Sequence, residues 1–448
     1  MNNTIIIKQF MDKHPVFALH PDRAREMGLE KKKIAFISFG SRKHYVLIKM
    51  DEGIQYDNVC ISKKLVDELH LPDYPVYETY VRNNEIVIGP FIGILVSTED
   101  KNITERRLYS MKDYVREYSK LHGAVVVFAL DKTDTTNLLI EGYCYHPSTD
   151  FWQRGIFPYP SSIYRTIGLS AKWRNHFLSV IGDVMFNNVY FNKWEMYQWF
   201  SMNEEIGFHL PYTQIYKSNM DIADIVKTYG RIYIKPVLGL RGHGIAQASI
   251  ENGSYVVKFR DNGKNDRIDF ETPDETNQFL KQRLNGNRYL IQKALDLLEY
   301  EGRIVDFRCI MQKSGTNKWE CREIIGRCGE KGSVVSNISS GGRAFRAVDI
   351  LNRINCSCKV DNQELIDKIK YLSIKICSIL DEYGVNCGML GLDIGIDKQW
   401  NLWLIEINNR DPDPSIALDI RDRKLYYTLK TGQLYYAKSL AGFNERDN

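Results

Sequence analysis

The chain has 448 residues, 44% of them apolar and 26% charged, a balance that supplies ample core and excludes a largely disordered polymer. Its 60 basic and 56 acidic residues leave a formal charge of +4, too even for a nucleic-acid or anionic-membrane binder, since both need concentrated basic charge. No apolar stretch approaches the ~20 residues that span a bilayer, and Ile5-Ile6-Ile7-Lys8 is no signal peptide, so a cytoplasmic protein is expected.

At ~150 residues per domain the length allows about three domains. Residues 1–88 read as a self-contained N-terminal β-rich domain. Two strands, at 34–40 and 44–48, flank a turn, and residues 61–69 carry apolar side chains at helical spacing behind a Ser cap. Gly89-Pro90 marks a break. Residues 89–175 form a small α/β domain. Fully apolar strands at 91–97 and 123–130, separated by a charged helix near 104–121, predict a parallel sheet covered on both faces. Residues 176–448 form the third domain. A helix opens at Asn192-Lys193-Trp194-Glu195, and strands are expected at 231–235, 254–260, 289–292, 307–312, 319–326, 390–396 and 401–407. The most regular helix, 361–383, stops at Gly384.

Nine cysteines include seven beyond residue 300, several inside apolar runs, where a reduced thiol acts as a small hydrophobe. There is no CxxC pair, and Cys356-Ser357-Cys358 has no second pair at finger spacing, which argues against zinc.

The strongest chemical signal is the pair 391–397 and 402–408, two period-two strands joined by a short link. Strict alternation places Leu402, Leu404, Glu406 and Asn408 on one face, and antiparallel pairing brings Glu406 to Asp393. Gly391 and Gly395 leave room beside the Asp393 carboxylate. Two carboxylates and a carboxamide are hard oxygen ligands, and two carboxylates so close repel unless a cation or proton lies between them. Magnesium suits such a set. A second signal is the strand ending in Lys235, followed by the glycine loop 239–245, with backbone N–H groups and Arg241 suited to an anion. Read alone, such a loop is equally an ordinary hairpin. Softer signals are the apolar strand running into Gln292-Lys293-Ala294 and the pair Arg327 and Asn337 ahead of Gly341-Gly342. Arg410 and Asp411, just after Asn408, are candidates for contact with a carboxylate substrate.

In this order these elements resemble an ATP-grasp fold. The wider match is to the YheC/YheD family of endospore coat-associated ATP-grasp proteins. It rests on Gly89-Pro90-Phe91-Ile92-Gly93-Ile94-Leu95, Phe157-Pro158-Tyr159-Pro160, Asn192-Lys193-Trp194-Glu195, Val305-Asp306-Phe307-Arg308 and Ser336-Asn337-Ile338-Ser339-Ser340-Gly341-Gly342. The resemblance implies an α/β (α+β) chain: an ATP-grasp fold preceded by a small parallel α/β pre-ATP-grasp domain and the N-terminal β-rich domain. It implies ATP and two magnesium ions as cofactors. Lys193 and Lys235 would bind the α- and β-phosphates, and the loop with Gly242, His243 and Gly244 would close over them. Gln292, Lys293 and Ala294 would frame the adenine through backbone groups, with Asp296 the nearest acid for the ribose. Asp393, Glu406 and Asn408 would hold the metals. Arg327 and Asn337 match catalytic positions that lie by the γ-phosphate and the last metal in the related ribosomal-protein glutamate ligases.

The chemistry this implies is ATP-dependent carboxylate–amine ligation through an acyl phosphate, on a carboxylate substrate and an amine donor, with a peptide or spore-coat protein among the candidates. Two other readings accompany it: a non-catalytic ATP-binding protein of the spore coat, and phosphorylation without ligation.

Overall fold

The computed structural model describes residues 4–217, 220–239, 244–261, 264–284, 288–330, 342–354, 360–410 and 412–444. Seven strands at its start close into a barrel, in the order Thr4–Phe10, Asn58–Ser62, Val16–Leu19, Arg42–Met50, Ile34–Phe39, Glu85–Gly89, Val76–Arg82. Alternation builds it: Ala35, Ile37 and Phe39 point inward while Ile34 and Phe36 stay exposed. The expected hairpin is present with a tight turn at Gly40-Ser41. Gly40 has φ of +55°, and a Cβ there would lie 2.3 Å from the Tyr159 carbonyl oxygen, so only glycine fits. Ser62 does precede a helix, Lys63–Leu69, but its hydroxyl accepts a bond from the Val16 N–H at 2.9 Å and so ties two barrel strands instead of capping.

The barrel is not self-contained. Its interior runs without a break into Phe91, Leu95, Val126 and Phe128 of the next sheet, where Phe39 and Phe91 stack at 4.4 Å between ring centroids. That sheet has the order Phe151–Pro158, Leu139–His146, Ala124–Asp134, Phe91–Ser97, Ser162–Arg165, Met185–Phe186. The last four strands are parallel, and the first two extend them as an antiparallel meander. The charged segment 104–121 is two short helices, Glu105–Met111 and Tyr118–Leu121. Much of the sheet's cover comes from far along the chain, because Leu434, Tyr436 and Ala437 of the helix Arg423–Leu440 pack on Ile92, Ile94 and Tyr164. Lys438 of that helix bonds Glu78 of the barrel, which also meets His122 Nδ1 at 2.9 Å.

Two more sheets follow. One is antiparallel throughout, in the order Thr213–Ile215, Tyr289–Lys293, Arg231–Pro236, Ala246–Glu251, Ser254–Asp261, Lys264–Phe270. The helices Ile222–Tyr229 and Pro273–Arg283 supply Val226 and Leu280 to its core. The other runs Arg343–Arg346, Trp319–Cys328, Arg303–Lys313, Met389–Ile396, Leu402–Asn408, backed by the helix Asn362–Glu382, whose N-cap is Asp361. The helix Lys193–Ser201 sits between these sheets, opened by a capping box in which Asn192 and Glu195 bond each other's backbone N–H. Among the described residues the cysteines are free thiols.

A Phe91→Ala substitution removes a ring shared by barrel and sheet, and is expected to cost about 3–5 kcal/mol. Hydrogen exchange should then accelerate in Ile34–Phe39 as well as in Phe91–Ser97. Unchanged protection in the barrel strand would contradict a shared core.

Candidate active site

The site grows from the hairpin Met389–Ile396 and Leu402–Asn408. Asp397 holds its turn, accepting bonds from the Gln399 and Asn401 N–H groups, each at 2.9 Å, and from Trp403 Nε1 at 2.8 Å. Asp393 stands opposite Glu406 and Gly391 opposite Asn408. The register then slips, so that Ile394 faces Leu404 and Ile405 is the extra residue of a bulge. This corrects the reading from strict alternation. Leu402 and Leu404 turn into the core behind the sheet, whereas Glu406 and Asn408 share the other face with Asp393. The space beside Asp393 is also filled. A Cβ on Gly391 would lie 3.0 Å from Arg308 Cδ, and one on Gly395 would meet Leu297 and Ile405.

Register explains the electrostatics. Across the sheet Arg308 pairs with Asp393, and Asp306 with Arg327. Arg308 donates Nε to Asp393 Oδ1 and Nη2 to Oδ2, the latter at 3.1 Å. Arg327 donates Nε and Nη2 to Asp306 at 2.7 and 2.6 Å, and the same Nη2 lies 2.9 Å from Asp393 Oδ2. Both forks are bidentate, the strongest form of this contact. Burial pushes Asp393 toward its neutral form, but Arg308 and then Arg327 outweigh it and hold the carboxyl well below its usual range. Burial likewise opposes the Arg327 charge, and Asp306 and Asp393 overcome it. From sequence alone Asp306 and Arg308 stand out only within the family-like segment Val305-Asp306-Phe307-Arg308, with no site role. Their signal as site residues was period-two alternation of charges within an apolar strand.

The remaining cations come from the other sheet and the intervening helix. Lys193 reaches Glu406 Oε1 at 2.9 Å and the Gly239 carbonyl at 3.0 Å, joining the carboxylate pair to the start of the glycine loop. Lys235 bonds Gln292 Oε1 at 2.6 Å, and Gln292 in turn bonds Thr213 Oγ1 at 2.9 Å. Lys235 keeps some solvent contact but is enclosed by protein on most sides. Desolvation brings its ammonium down to about 8, against Glu406 and with help from Lys193. Lys193, Lys235, Arg308 and Arg327 thus face Asp306, Asp393 and Glu406, an excess of positive charge suited to a polyphosphate.

The other expected residues are placed less centrally. The N–H groups of Lys293 and Ala294 already bond the carbonyls of Tyr212 and Arg231, at 2.9 and 3.0 Å. Asp296 is exposed and paired with Arg231. Gly244 has φ of +73°, while Gly242, His243 and Asn337 lie outside the described residues. Among the described residues the Arg327 guanidinium is held by the Asp306 and Asp393 carboxylates.

The donor set fits a hard divalent cation. Asn408 Nδ2 is committed to the Gly391 carbonyl at 3.2 Å, which leaves its oxygen for a ligand. Asp393 Oδ1 accepts one bond, from Arg308, and Glu406 is held through Oε1. Lone pairs therefore remain on both carboxylates. Among the described residues no three His, Cys, Asp or Glu side chains cluster as a metal site, so this set has two carboxylates and an amide.

A family model described as YheC/D-like ATP-grasp matches residues 182–440. Endospore coat-associated protein YheD of Bacillus subtilis is 25% identical over 366 residues, covering 79% of each chain. Endospore coat-associated protein YheC of the same organism is 22% identical over 225 residues, covering 50% of this chain and 61% of that protein. Among solved structures, a RiPP-associated ATP-grasp ligase from Chryseobacterium gregarium with ADP and a leader and core peptide gives a TM-score of 0.40 at 13% identity, covering 79% of this chain and 97% of the other. VanG D-Ala:D-Ser ligase from Enterococcus faecalis gives 0.43 at 10% identity, covering 79% and 98%.

Asp393→Asn leaves Arg308 and Arg327 sharing a buried site with one negative charge fewer, and is expected to cost about 2–3 kcal/mol in urea unfolding at neutral pH. The folded carboxyl titrates below its ordinary 3.8, so the stabilisation is complete above about pH 5 and is lost as pH falls through the folded pKa. The gap between wild type and variant should therefore close only in acid. A gap independent of pH would contradict this account.

Proposed function

The chain belongs to the YheC/D-like ATP-grasp family, and on that premise we propose that it is an ATP-dependent carboxylate–amine ligase. The observation that carries the reading is the meeting, through Lys193, of Glu406 and the Gly239 carbonyl. Three segments far apart in sequence bring a cation, Gly239 and an acidic hairpin to one place.

In this reading Lys193 and Lys235 bind the α- and β-phosphates of ATP, and Gln292 orients the Lys235 ammonium. Magnesium held by Asp393, Glu406 and Asn408 would neutralise phosphate charge. Arg308 and Arg327 fix the Asp393 carboxylate as an anion, so the charge pattern is built before substrate arrives. The acceptor carboxylate attacks the γ-phosphorus and ADP leaves. An amine then adds to the acyl phosphate, expels phosphate and loses a proton, giving the amide. The names of YheD and YheC support placing the reaction in a sporulation setting, with a peptide or coat protein as acceptor.

Purified protein with Mg-ATP, pooled amino acids and a spore-protein extract should release ADP only when an acceptor is present, and Glu406→Gln should abolish the release. Tight Mg-ATP binding with no release under any acceptor would replace the ligase with a non-catalytic ATP-binding protein of the coat. Stable phosphorylated acceptor without amide would make it a kinase.

Because Lys235 titrates near 8, Mg-ATP affinity should weaken as pH rises beyond that value, by up to about tenfold per unit. Lys235→Arg, which stays charged, should flatten the profile. Equal slopes for both proteins would remove Lys235 from phosphate binding.

A further inference from the structure

We propose that Arg165 and Arg410, which both approach the Tyr190 ring, form with Arg174 a subsite for an anionic group of the acceptor other than the reacting carboxylate, which makes the substrate an acid with at least two negative groups. The inference rests on the ligase reading and names the substrate class for it.

Arg165 ends the parallel strand Ser162–Arg165, and the carboxyl ends of such strands are where open α/β sheets collect ligands. Its side chain is 1% exposed. Its Nη2 bonds the Asn187 carbonyl, its guanidinium carbon lies 4.2 Å from the Tyr190 ring centroid, and its Nε has no acceptor. Arg174, on the helix Ala171–Ile181, also has a buried Nε without an acceptor. Arg410 approaches the same tyrosine ring, at 5.5 Å.

Among the described residues no carboxylate oxygen lies within 4.0 Å of a nitrogen of these three guanidinium groups. That contrasts with Arg308 and Arg327, which are buried against carboxylates of their own. A buried cation ordinarily has an anionic or hydrogen-bonded partner for every donor. Burial, reinforced by the Arg174 charge and opposed by Tyr190, draws Arg165 below its ordinary pKa, a tension that an incoming anion relieves.

The position suits an acceptor. Arg410 follows Asn408 by two residues, so their Cα atoms are at most about 7 Å apart. Between them, buried Asn409 donates Nδ2 to the Phe191 carbonyl at 2.9 Å, while its Oδ1 has no donor. An acid seated here can present one carboxylate toward the hairpin and another negative group to the arginines.

The test is calorimetric titration of the full chain, saturated with Mg2+ and the non-hydrolysable analogue AMP-PNP, with butyrate, glutarate and tricarballylate. Glutarate and tricarballylate should bind at least about tenfold more tightly than butyrate, since one charge-assisted hydrogen bond accounts for that factor. Arg410→Gln and Arg174→Gln should each erase the preference, and Arg410→Lys should retain part of it. Arg410 is exposed, so its replacement tests the subsite without disturbing the core. Equal affinity for the three acids in protein that binds AMP-PNP overturns the subsite and leaves the ligase reading standing. A preference that survives both glutamine variants also overturns it. Failure to bind AMP-PNP overturns the ligase reading itself.

Discussion

The acidic hairpin depends on one buried interaction, the two arginines on Asp393. Without Arg308 and Arg327, a desolvated carboxylate beside Glu406 would take up a proton and lose its value as a charge. With them it stays ionised and fixed in direction. The arrangement costs the protein nothing in sheet geometry, because donor and acceptor sit directly opposite each other on neighbouring strands. Arg327 is in turn oriented by Asp306. A line of alternating charge therefore crosses three strands, and the chemistry of the hairpin is set by residues that precede it by about 65 to 85 positions.

The bulge at Ile405 is the second constraint. A strand that alternates perfectly can bury leucines or display acids on one face, but not change its mind midway. One inserted residue lets Leu402 and Leu404 complete the core against the helix Asn362–Glu382 while Glu406 and Asn408 face outward. Core packing and ligand display are thus separated within seven residues of one strand.

This separation also marks how far sequence reasoning reached. The hairpin, the Lys235 strand, the capped helix at Lys193 and the long helix ending at Gly384 were legible because each is a local pattern with its own punctuation. The face of Glu406 was misassigned relative to its leucines, since a bulge leaves no mark on a period-two pattern. Asp306 and Arg308 were visible as charges, but their partners follow from the strand order Trp319–Cys328, Arg303–Lys313, Met389–Ile396, which is long-range information. The union of the barrel with the following sheet was hidden for the same reason: Phe39 and Phe91 look like ordinary apolar residues of two separate strands.

The helix Arg423–Leu440 has a consequence for how the chain is made. It covers Ile92, Ile94 and Tyr164, which emerge from the ribosome more than 250 residues before it. Throughout that interval the parallel sheet has only the partial cover of Tyr114, Val115, Tyr118 and Leu121 on this face, and at ~5–20 residues per second the wait lasts tens of seconds. A ribosome that stalls before residue 423 therefore leaves a polypeptide whose sheet lacks the Leu434, Tyr436 and Ala437 part of its cover.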